Sequence, residues 1–331
     1  MELIKIYTSK GLSVSKATRL ASIPRSTYYS NLKIAENSLD NSKSLEEEGK
    51  DNKKAVGRPI STTTARLTCK DHNIINEIPN EIVKDVIMSL FSNEFICYGY
   101  NKVTWYLKRL GYLINRKKVY RLMKELNMLR PKIIKQKAYI NRIKEFKVIV
   151  TKPNEVWEID IKYIYIHGES RNFFICSIID CFTREIISYY FGRHCYKENV
   201  NALIFEAISK RKINLSCLSN IELRIRSDNG CQFVSYHVRK YLVSMGIRQE
   251  HIHNATPEEN GHIESFHSIL QFEFSQRFEF GSFEECSAKL NKWVEFYNNE
   301  RIHSAINYKT PKEFYDEYME KYLVLNIDRP F

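Results

Sequence analysis

The stretch Val156-Trp157-Glu158-Ile159-Asp160-Ile161 decides the fold that we expect for this chain. Side chains alternate along a strand, so Val156, Glu158 and Asp160 share one face, and the three residues between and after them share the other. An apolar sheet does not hold an acid such as Asp160 unless that acid has a partner. The stretch therefore predicts a core strand that carries a functional carboxylate.

The residues after this stretch predict alternating strands and helices. Strands rich in Ile, Val, Tyr and Phe are expected at 156–166, 172–180 and 185–191, with shorter ones near 221–226 and 247–251. Helices are expected at 197–209, 234–245, about 259–274 and 283–299. Three consecutive strands followed by alternating helices and strands indicate an α/β fold with a mixed five-stranded sheet flanked by helices. This is the ribonuclease H-like order.

Two further acids join Asp160 as candidate catalytic residues and metal ligands. Asp228 follows a predicted strand and precedes the turn Asn229-Gly230, and 35 residues separate it from Glu264, which lies on a predicted helix. Taken singly, Asp228 is better explained as a turn residue and Glu264 as a solvated one. Three acids in this order suit Mg²⁺ or Mn²⁺, which prefer oxygen ligands. Two such ions about 4 Å apart promote in-line phosphodiester displacement without a protein nucleophile.

Other polar residues are weaker candidates for the same site. Positions 264, 267, 268 and 271 share a helix face, so His267 and Gln271 are predicted to line a groove with Glu264. Lesser candidates near the site are Glu158, Asp180, His251 and His253. For Asp180, capping of the following turn is the better interpretation.

The net charge of +12 is concentrated in one block. Residues 101–147 contain 15 Lys or Arg and two acids, an excess of 13, so the rest of the chain sums to −1. A solvated helical face is the alternative, but this bias favours DNA or RNA as the partner. Within the block, the polar faces of two predicted helices carry the candidate DNA contacts Lys108, Arg109, Lys117, Lys118, Arg121 and Lys124.

Changes in composition divide the chain into six predicted segments. They are a helix-turn-helix with the candidate DNA contact Arg25 (1–35), a flexible linker (36–70), a second helix-turn-helix (71–131), a basic linker (132–151), the catalytic core (152–316) and a tail (317–331). In the first segment, Ser15 is placed to cap a helix at 16–21, although an ordinary helical hairpin fits equally well. In the second helix-turn-helix segment (71–131), an apolar stripe that includes Ile82, Val86 and Ile87 predicts a helical period from residue 73.

Cysteine usage and hydropathy bear on the compartment. The eight cysteines are scattered without a CxxC pair, which favours reduced thiols and a cytoplasmic protein. Association with the nucleoid is expected from the DNA partner and not from the cysteines. No apolar run approaches the roughly 20 residues that span a bilayer, so no membrane partner is expected.

Several spaced motifs together resemble the catalytic transposases of the third insertion-sequence family, whose core is shared with retroviral integrases. The matching stretches are Trp157-Glu158-Ile159-Asp160, Arg226-Ser227-Asp228-Asn229-Gly230-Cys231-Gln232-Phe233, Asn260-Gly261-His262-Ile263-Glu264-Ser265-Phe266-His267, Tyr297-Asn298-Asn299-Glu300-Arg301-Ile302-His303-Ser304 and Pro311. Upstream, Tyr98-Gly99-Tyr100 and Val119-Tyr120-Arg121-Leu122-Met123 resemble the family's associated helix-turn-helix, and Ser26-Thr27-Tyr28-Tyr29 its amino-terminal one. The resemblance covers nearly the whole chain.

The resemblance implies that Asp160, Asp228 and Glu264 bind the catalytic metal ions. It also implies hydrolysis at a transposon end, attack of the freed 3′ hydroxyl on another phosphodiester, and action on terminal inverted repeats and target DNA. An oligomer and a small companion DNA-binding protein are expected with it. His267, Gln271 and Arg301 are further expected DNA contacts, although Gln271 stands where many members have Lys or Arg, and Arg226 where they commonly have His.

Two other functions compete with transposition. A DNA-binding regulator built on the helix-turn-helix segments has no need of the three acids. A ribonuclease H-like nuclease that cuts without joining has a similar core, but it has little use for two sequence-reading domains. The acids in order, together with these domains, favour DNA strand transfer.

Overall fold

The computed structural model describes residues 4, 6, 8, 13–20, 28, 60–67, 75–131, 149–213, 222–252 and 257–327. These residues belong to two units, 1–60 and 61–331. In the first unit, helix α1 (Val14–Leu20) contributes Ala17 to a small cluster with Ile4 and Tyr28. Since α1 begins at Val14, Ser15 lies inside the helix, and the prediction that it caps the helix is wrong. Arg25 lies outside the described residues.

The second unit begins with a two-stranded sheet that the sequence did not predict. Strands β1 (Thr63–Leu67) and β2 (Ile75–Pro79) pair antiparallel, although 36–70 was expected to be a linker and a helical period was expected from residue 73. The β-branched side chains of β1 suit a strand, and the Thr64 hydroxyl is buried in a 2.9 Å hydrogen bond to Asn80 Oδ1. A polar composition therefore concealed an ordered element.

Three helices pack beside this sheet in the helix-turn-helix order that was predicted. They are α2 (Asn80–Leu90), α3 (Tyr100–Arg109) and α4 (Arg116–Glu125), and their shared core includes Val83, Ile87, Leu107 and Leu122. The stripe of α2 runs through Val83 rather than Ile82, which is 47% exposed, so that part of the prediction is wrong.

Gly111 ends α3 as predicted. Its φ of +88° belongs to the left-handed region, and a Cβ there would lie 2.8 Å from the carbonyl oxygen of Leu67. Both the backbone conformation and the close approach of β1 therefore require glycine at this position.

The catalytic segment contains a mixed five-stranded sheet. Its strands are β3 (Val156–Ile166), β4 (Arg171–Asp180), β5 (Ile186–Gly192), β6 (Arg224–Ser227) and β7 (Arg248–His251), in the order β5-β4-β3-β6-β7. The pairs β3/β4 and β4/β5 are antiparallel, whereas β3/β6 and β6/β7 are parallel. This is the predicted ribonuclease H-like arrangement, with β3 in the centre.

Helices cover both faces of this sheet. Helices α5 (Lys197–Lys210) and α6 (Tyr236–Ser244) pack on the face that presents Trp157 and Ile159, while α7 (Gly261–Leu270) and α8 (Phe283–Asn299) pack on the other. A last helix, α9 (Pro311–Ile327), runs through the predicted boundary between core and tail at 316. Within the described part of the chain, none of the helices combines the length and apolarity that a membrane span needs.

Helix α7 continues into a π-helical turn, Gln271–Ser275. The amide of Gln276 donates to the carbonyl of Gln271 at 2.9 Å, and the turn buries Glu273 and Phe274. Such wide turns are frequent at functional sites.

Candidate active site

Two of the three predicted carboxylates lie beside each other on neighbouring strands, Asp160 within β3 and Asp228 directly after the end of β6. Strand β3 pairs in parallel with β6, with Ile159 opposite Ser227. Asp160 and Asp228 each come one residue later, so the inter-strand spacing of roughly 4.8 Å sets the distance between their backbones. Both side chains are partly buried. The sheet therefore brings together two acids that lie far apart in the sequence.

A thiol in the adjoining strand lies close to both acids. A hydrogen bond to Cys195 and full burial raise the pKa of the Cys176 thiol, and the negative charges of Asp160 and Asp228 raise it further. Both carboxylates are thus within electrostatic range of one buried group on β4.

The turn after β6 fixes one oxygen of Asp228 and leaves the other available. The amide of Gly230 donates to Asp228 Oδ1 at 2.9 Å, which is the turn-forming role considered for this acid. Among the described residues, no hydrogen-bond donor contacts Oδ2 of Asp228. The turn therefore orients the carboxylate without using its full capacity as an acceptor.

Helix α7, which carries Glu264, is anchored to β3 by the buried carboxylate of Glu158. The amides of His262 and Ile263 donate to Glu158 Oε2 at 2.9 and 2.8 Å, and His262 Nδ1 lies 2.8 Å from Oε1. Glu158 is fully buried, and burial raises the pKa of its carboxyl despite these donors. The free amides at a helix start need acceptors, and Glu158 supplies one. It is a helix anchor, and the weaker hypothesis that it is a metal ligand is not needed.

Glu264 lies in the first turn of α7, close to Asp160. Partial burial raises the pKa of the Glu264 carboxyl, the negative charges of Asp160 and Glu158 add to this, and His267 opposes it. Glu264 itself is exposed, so its carboxylate can reach a ligand in solution. Mutual repulsion between Asp160 and Glu264 is what a site built for a cation exhibits before the cation is present.

The three acids fit a hard divalent cation by chemistry, although they are not drawn tightly together. Among the described residues, Asp228 and Glu264 form no ion pair with Lys or Arg, so their charges remain available. The three are not among the groups whose ligand atoms all lie within 4.8 Å of one another. The fold therefore brings the carboxylates into one region, around β3, β6 and the start of α7, without closing them to single-ion distances.

One group of potential ligands does meet that distance: Glu158, Cys181 and His262. Its geometry is explained without a metal, because both oxygens of Glu158 already accept hydrogen bonds. The guanidinium of Arg226 lies 3.9 Å from Glu158 Oε1 and would repel a cation. We interpret the cluster as the helix anchor described above.

Two of the predicted DNA contacts are buried inside the protein, so these predictions are wrong. His267 is 5% exposed and its Nδ1 lies 3.3 Å from Asp160 Oδ2, so it orients a carboxylate instead of meeting DNA. Arg301 is 4% exposed and donates to both oxygens of Glu273 at 2.6 and 2.8 Å. This bidentate pairing occupies two neighbouring donors of the Arg301 guanidinium, so that edge of the group is not available to a phosphate.

The two departures from the family's sequence pattern have structural accounts. Gln271 is exposed, and its Oε1 accepts a 3.1 Å hydrogen bond from Lys162, which lies two residues after Asp160 on the same face of β3. The ammonium of Lys162, from β3, therefore supplies a positive charge beside Gln271. Arg226 contacts Glu250 of β7 at 3.0 Å and the carbonyl of Glu259 at 2.9 Å, which fastens the segment that leads into α7.

The basic face of α3 and α4 is only partly available to DNA. Arg109 is ion-paired with Glu313, Lys118 donates to the carbonyl of Thr63, and Arg121 donates to the carbonyl of Ser61 at 3.1 Å. Of the six contacts predicted on these helices, the exposed ones that have no ion pair among the described residues are Lys108, Lys117 and Lys124. These three remain the predicted DNA contacts with free charge.

The remaining weaker candidates for the site, Asp180, His251 and His253, have different outcomes. Asp180 accepts the amides of Phe182 and Thr183 at 2.8 and 3.0 Å, which confirms that it caps this turn. His251 Nδ1 lies 3.4 Å from the carbonyl oxygen of Asp228, so this histidine does approach the site. His253 lies outside the described residues.

Comparison with known proteins shows what the chain is similar to. The Integrase core domain family matches residues 150–257 and, in a second form, 245–311, and the HTH-like domain family matches 77–137. The putative transposase InsK for insertion sequence element IS150 of Escherichia coli is 27% identical over 70% of this chain and 82% of its own length. The transposase for IS904 of Lactococcus lactis is 26% identical over 72% of this chain and 95% of its own length. The InsD transposase of IS2 from Escherichia coli is 22% identical over 95% of this chain and 94% of its own length.

The solved structures to which this chain is similar include two integrase cores. The HTLV-2 integrase catalytic core domain in complex with magnesium matches 50% of this chain and 97% of its own, with a TM-score of 0.37 and 18% identity. The catalytic core domain of BIV integrase matches 51% and 99%, with a TM-score of 0.38 and 17% identity.

The ribonuclease H-like sheet, the acids at its centre and the HTH-like helices before it define a polynucleotidyl transferase of the integrase class. Such enzymes normally depend on a metal ion, and their helix-turn-helix domains bind DNA. Within this class, the chain is similar to insertion-sequence transposases, and two models of the integrase core domain match it.

Sequence reasoning missed the residues that hold the acids in place. Glu158 alternates with Asp160 on the same face of β3, and a buried acid requires donors, so its position was a usable signal. Lys162 follows the same alternation. Arg226 had no comparable signal, because its partners come from β7 and from the segment before α7.

Proposed function

We propose that Asp160, Asp228 and Glu264 form the catalytic site with which this transposase cleaves DNA at the ends of its insertion sequence and joins them to a target. The observation that carries the proposal is that the parallel pairing of β3 with β6 puts Asp160 beside Asp228, while Glu264 on α7 lies close enough for the charge of Asp160 to raise its pKa. Three carboxylates held close together repel one another, so their proximity does not stabilise the fold and favours a functional role.

The same three residues would hold two Mg²⁺ or Mn²⁺ ions. Such ions, when bound, activate the attacking oxygen and stabilise the leaving oxygen of an in-line displacement. The protein's own contribution is orientation. His267 contacts Asp160, the turn amide of Gly230 holds Asp228, and Glu158 fixes the start of the helix that presents Glu264.

DNA would be held by the exposed cations outside this site. We propose Lys108, Lys117 and Lys124 for backbone contacts to the terminal inverted repeats, and Lys162 with Gln271 for the strand at the active site. Ionic contacts of this kind position DNA without reading its sequence. Action at the nucleoid follows from the substrate. We also propose an oligomer that pairs two ends and a companion DNA-binding protein.

The proposal is tested with Asp228→Asn in the full chain, with duplex DNA that carries the element's own end. Cleavage is measured on intact ends and joining on ends supplied with a free 3′ hydroxyl. We expect both to fall at least 100-fold while DNA binding stays within twofold, because only a carboxylate charge is removed.

The matched control is Asp316→Asn, which makes the same chemical change at the surface of α9, where Asp316 pairs with Lys312. It should cleave and join like the unmodified chain. Joining retained by Asp228→Asn would reject the catalytic site. Cleavage without any joining by the unmodified chain would instead identify a nuclease.

A further inference from the structure

A cavity of about 310 Å³ is lined by residues of α3, of α7 from Ser265 onward and of the π-helical turn, and none of the three acids lines it. It is near the lower limit of the roughly 300–1,000 Å³ that ligand sites occupy. Its polar lining consists of Lys102, Arg130, Ser265, Ser268, Glu273 and Arg301. Three of these side chains are cationic and one is acidic, so the lining carries an excess of positive charge.

The ammonium group of Lys102 is buried without a hydrogen-bond acceptor. Its Nζ has almost no exposed surface and no hydrogen-bond partner among the described residues. It lies 4.8 Å from the centre of the Tyr98 ring, a contact that supplies only part of what a buried cation loses in hydration. Burial, and then the charge of Arg301, lower the pKa of Lys102 to about 7.

The acid in the lining does not neutralise Lys102. Both oxygens of Glu273 accept hydrogen bonds from Arg301, so this pair is satisfied internally. The neighbouring His303 is neutral, because burial and then the charge of Arg301 lower its pKa well below the usual value. The other groups that face Lys102 are the Cys97 thiol, the cationic Arg130, and the Tyr98 hydroxyl, which is uncharged because burial raises its pKa to about 12. The ammonium therefore lacks a counter-ion.

The opposite side of the cavity offers donors suited to an oxyanion. Arg130 is exposed, with its guanidinium 5.0 Å above the ring of Phe272. Ser265 and Ser268 are exposed on α7, one and four residues after Glu264. Hydroxyls, an ammonium and a guanidinium around one space are the donor types that bind phosphate oxygens.

We propose that this cavity binds a backbone phosphate of the DNA, with Lys102 and Arg130 as its charged ligands. Its assignment to DNA rests on the proposed function. A phosphodiester seated here would contact the helix that presents Glu264, so the site would position the DNA strand relative to the catalytic acids. Lys102 would be a positioning residue, since it lies on α3 and not in the carboxylate cluster.

The cavity is tested first with sulfate, which keeps its charge between pH 6 and 8. Binding is followed by the rise in Tm of the full chain with sulfate concentration. Because Lys102 titrates near pH 7, its charged fraction falls from about 0.9 at pH 6 to about 0.09 at pH 8, so the affinity for sulfate should fall about tenfold. Lys102→Arg, whose guanidinium stays charged, should bind sulfate with a nearly flat pH profile.

Neutral variants locate the ligands. Lys102→Met should lose at least tenfold in sulfate affinity and Arg130→Met a smaller factor. Lys240→Met, which removes an exposed lysine from α6, should behave like the unmodified chain and corrects for general salt effects on Tm. Unchanged sulfate affinity in Lys102→Met, or a flat pH profile in the unmodified chain, would overturn the inference. If Lys102→Met fails to fold, the pH profiles of the unmodified chain and of Lys102→Arg decide the question.

The assignment to DNA is tested separately through salt dependence. With duplex DNA of the element's end, Lys102→Met at pH 6 should lower the slope of log affinity against log salt by about 0.9, the effect of one phosphate contact. An unchanged slope would reject DNA as the ligand. The sulfate experiments need neither catalysis nor Asp228, so they can succeed or fail independently of the proposed active site.

Discussion

The anchoring of α7 by Glu158 predicts that a residue with no role in metal binding controls the activity. Replacing Glu158 by Ala removes the acceptor for the amides of His262 and Ile263 and the partner of the His262 ring. Replacing it by Gln keeps a side-chain oxygen for the two amides and an amide group opposite the ring. The two variants therefore separate loss of the anchor from loss of its charge.

The size of the effect follows from the two amides. Each unsatisfied buried amide costs about 1–3 kcal/mol. Glu158→Ala leaves two such amides but also removes the cost of burying the Glu158 carboxylate, which offsets part of that loss. We expect Glu158→Ala to lower the free energy of unfolding by about 2–4 kcal/mol and Glu158→Gln by less than about 1 kcal/mol. Since a displacement of about 1 Å can reduce a rate about 100-fold, joining by Glu158→Ala should fall by about that factor even when the protein is folded.

Joining and cleavage are measured well below the Tm of each variant, with DNA binding measured in parallel. The matched control is Asp180→Ala. Asp180 is equally buried and also accepts backbone amides, but it caps a turn away from α7. It should lose comparable stability yet retain most of its activity at a temperature where it is folded. Equal losses of activity in the two Ala variants, or full activity in Glu158→Ala, would refute the anchoring role.

Two further predictions concern the other end of α7. Burial raises the pKa of the Glu273 carboxyl, but the hydrogen bonds and charge of Arg301 outweigh it, so its pKa is lowered in the folded state. The stability that this provides is present above the unfolded pKa near 4.5 and is lost as the pH falls through the folded pKa. Glu273→Gln should therefore flatten the acid-unfolding profile below pH 4.5 and lower the free energy of unfolding by about 3–5 kcal/mol at pH 7; a profile as steep as before would contradict this. Lys162→Gln should reduce the salt slope of DNA binding by about 0.9, compared with Lys240→Gln, and an unchanged slope would exclude its contact with phosphate.

Much of the fold was predictable because its elements have strong local patterns. The strand around Asp160 alternates clearly, and the helix at 283–299 was placed at the same limits as α8, where Ser282 caps the first turn. The strands β1 and β2 were not predictable in the same way. Their pairing joins polar segments, and their partner Asn80 becomes visible only when the chain is folded. Tertiary context decided these segments over local preference.

The carboxylates of the candidate site could be proposed from the sequence, whereas their environment could not. Asp160, Asp228 and Glu264 occur in motifs whose order is informative. Burial of His267 and Arg301 depends on partners that lie on β3 and on the turn after α7, more than 20 residues away in the sequence in each case. A polar residue near a catalytic motif looks the same in the sequence whether it faces DNA or the interior.

The position of Glu264 relative to Asp160 is set mainly by one strand. Strand β3 supplies Asp160, and on the same face it supplies Glu158 before it and Lys162 after it. Glu158 fixes the start of α7, and Lys162 contacts Gln271 where α7 enters its π-helical turn. The third acid is therefore held at both ends of its helix by neighbours of the first. Because the contacts are made by alternate residues of a central strand, a shift of β3 by one residue would move all of them to the opposite face. The register of β3 against β4 and β6 thus fixes both the core of the sheet and the geometry of the acids.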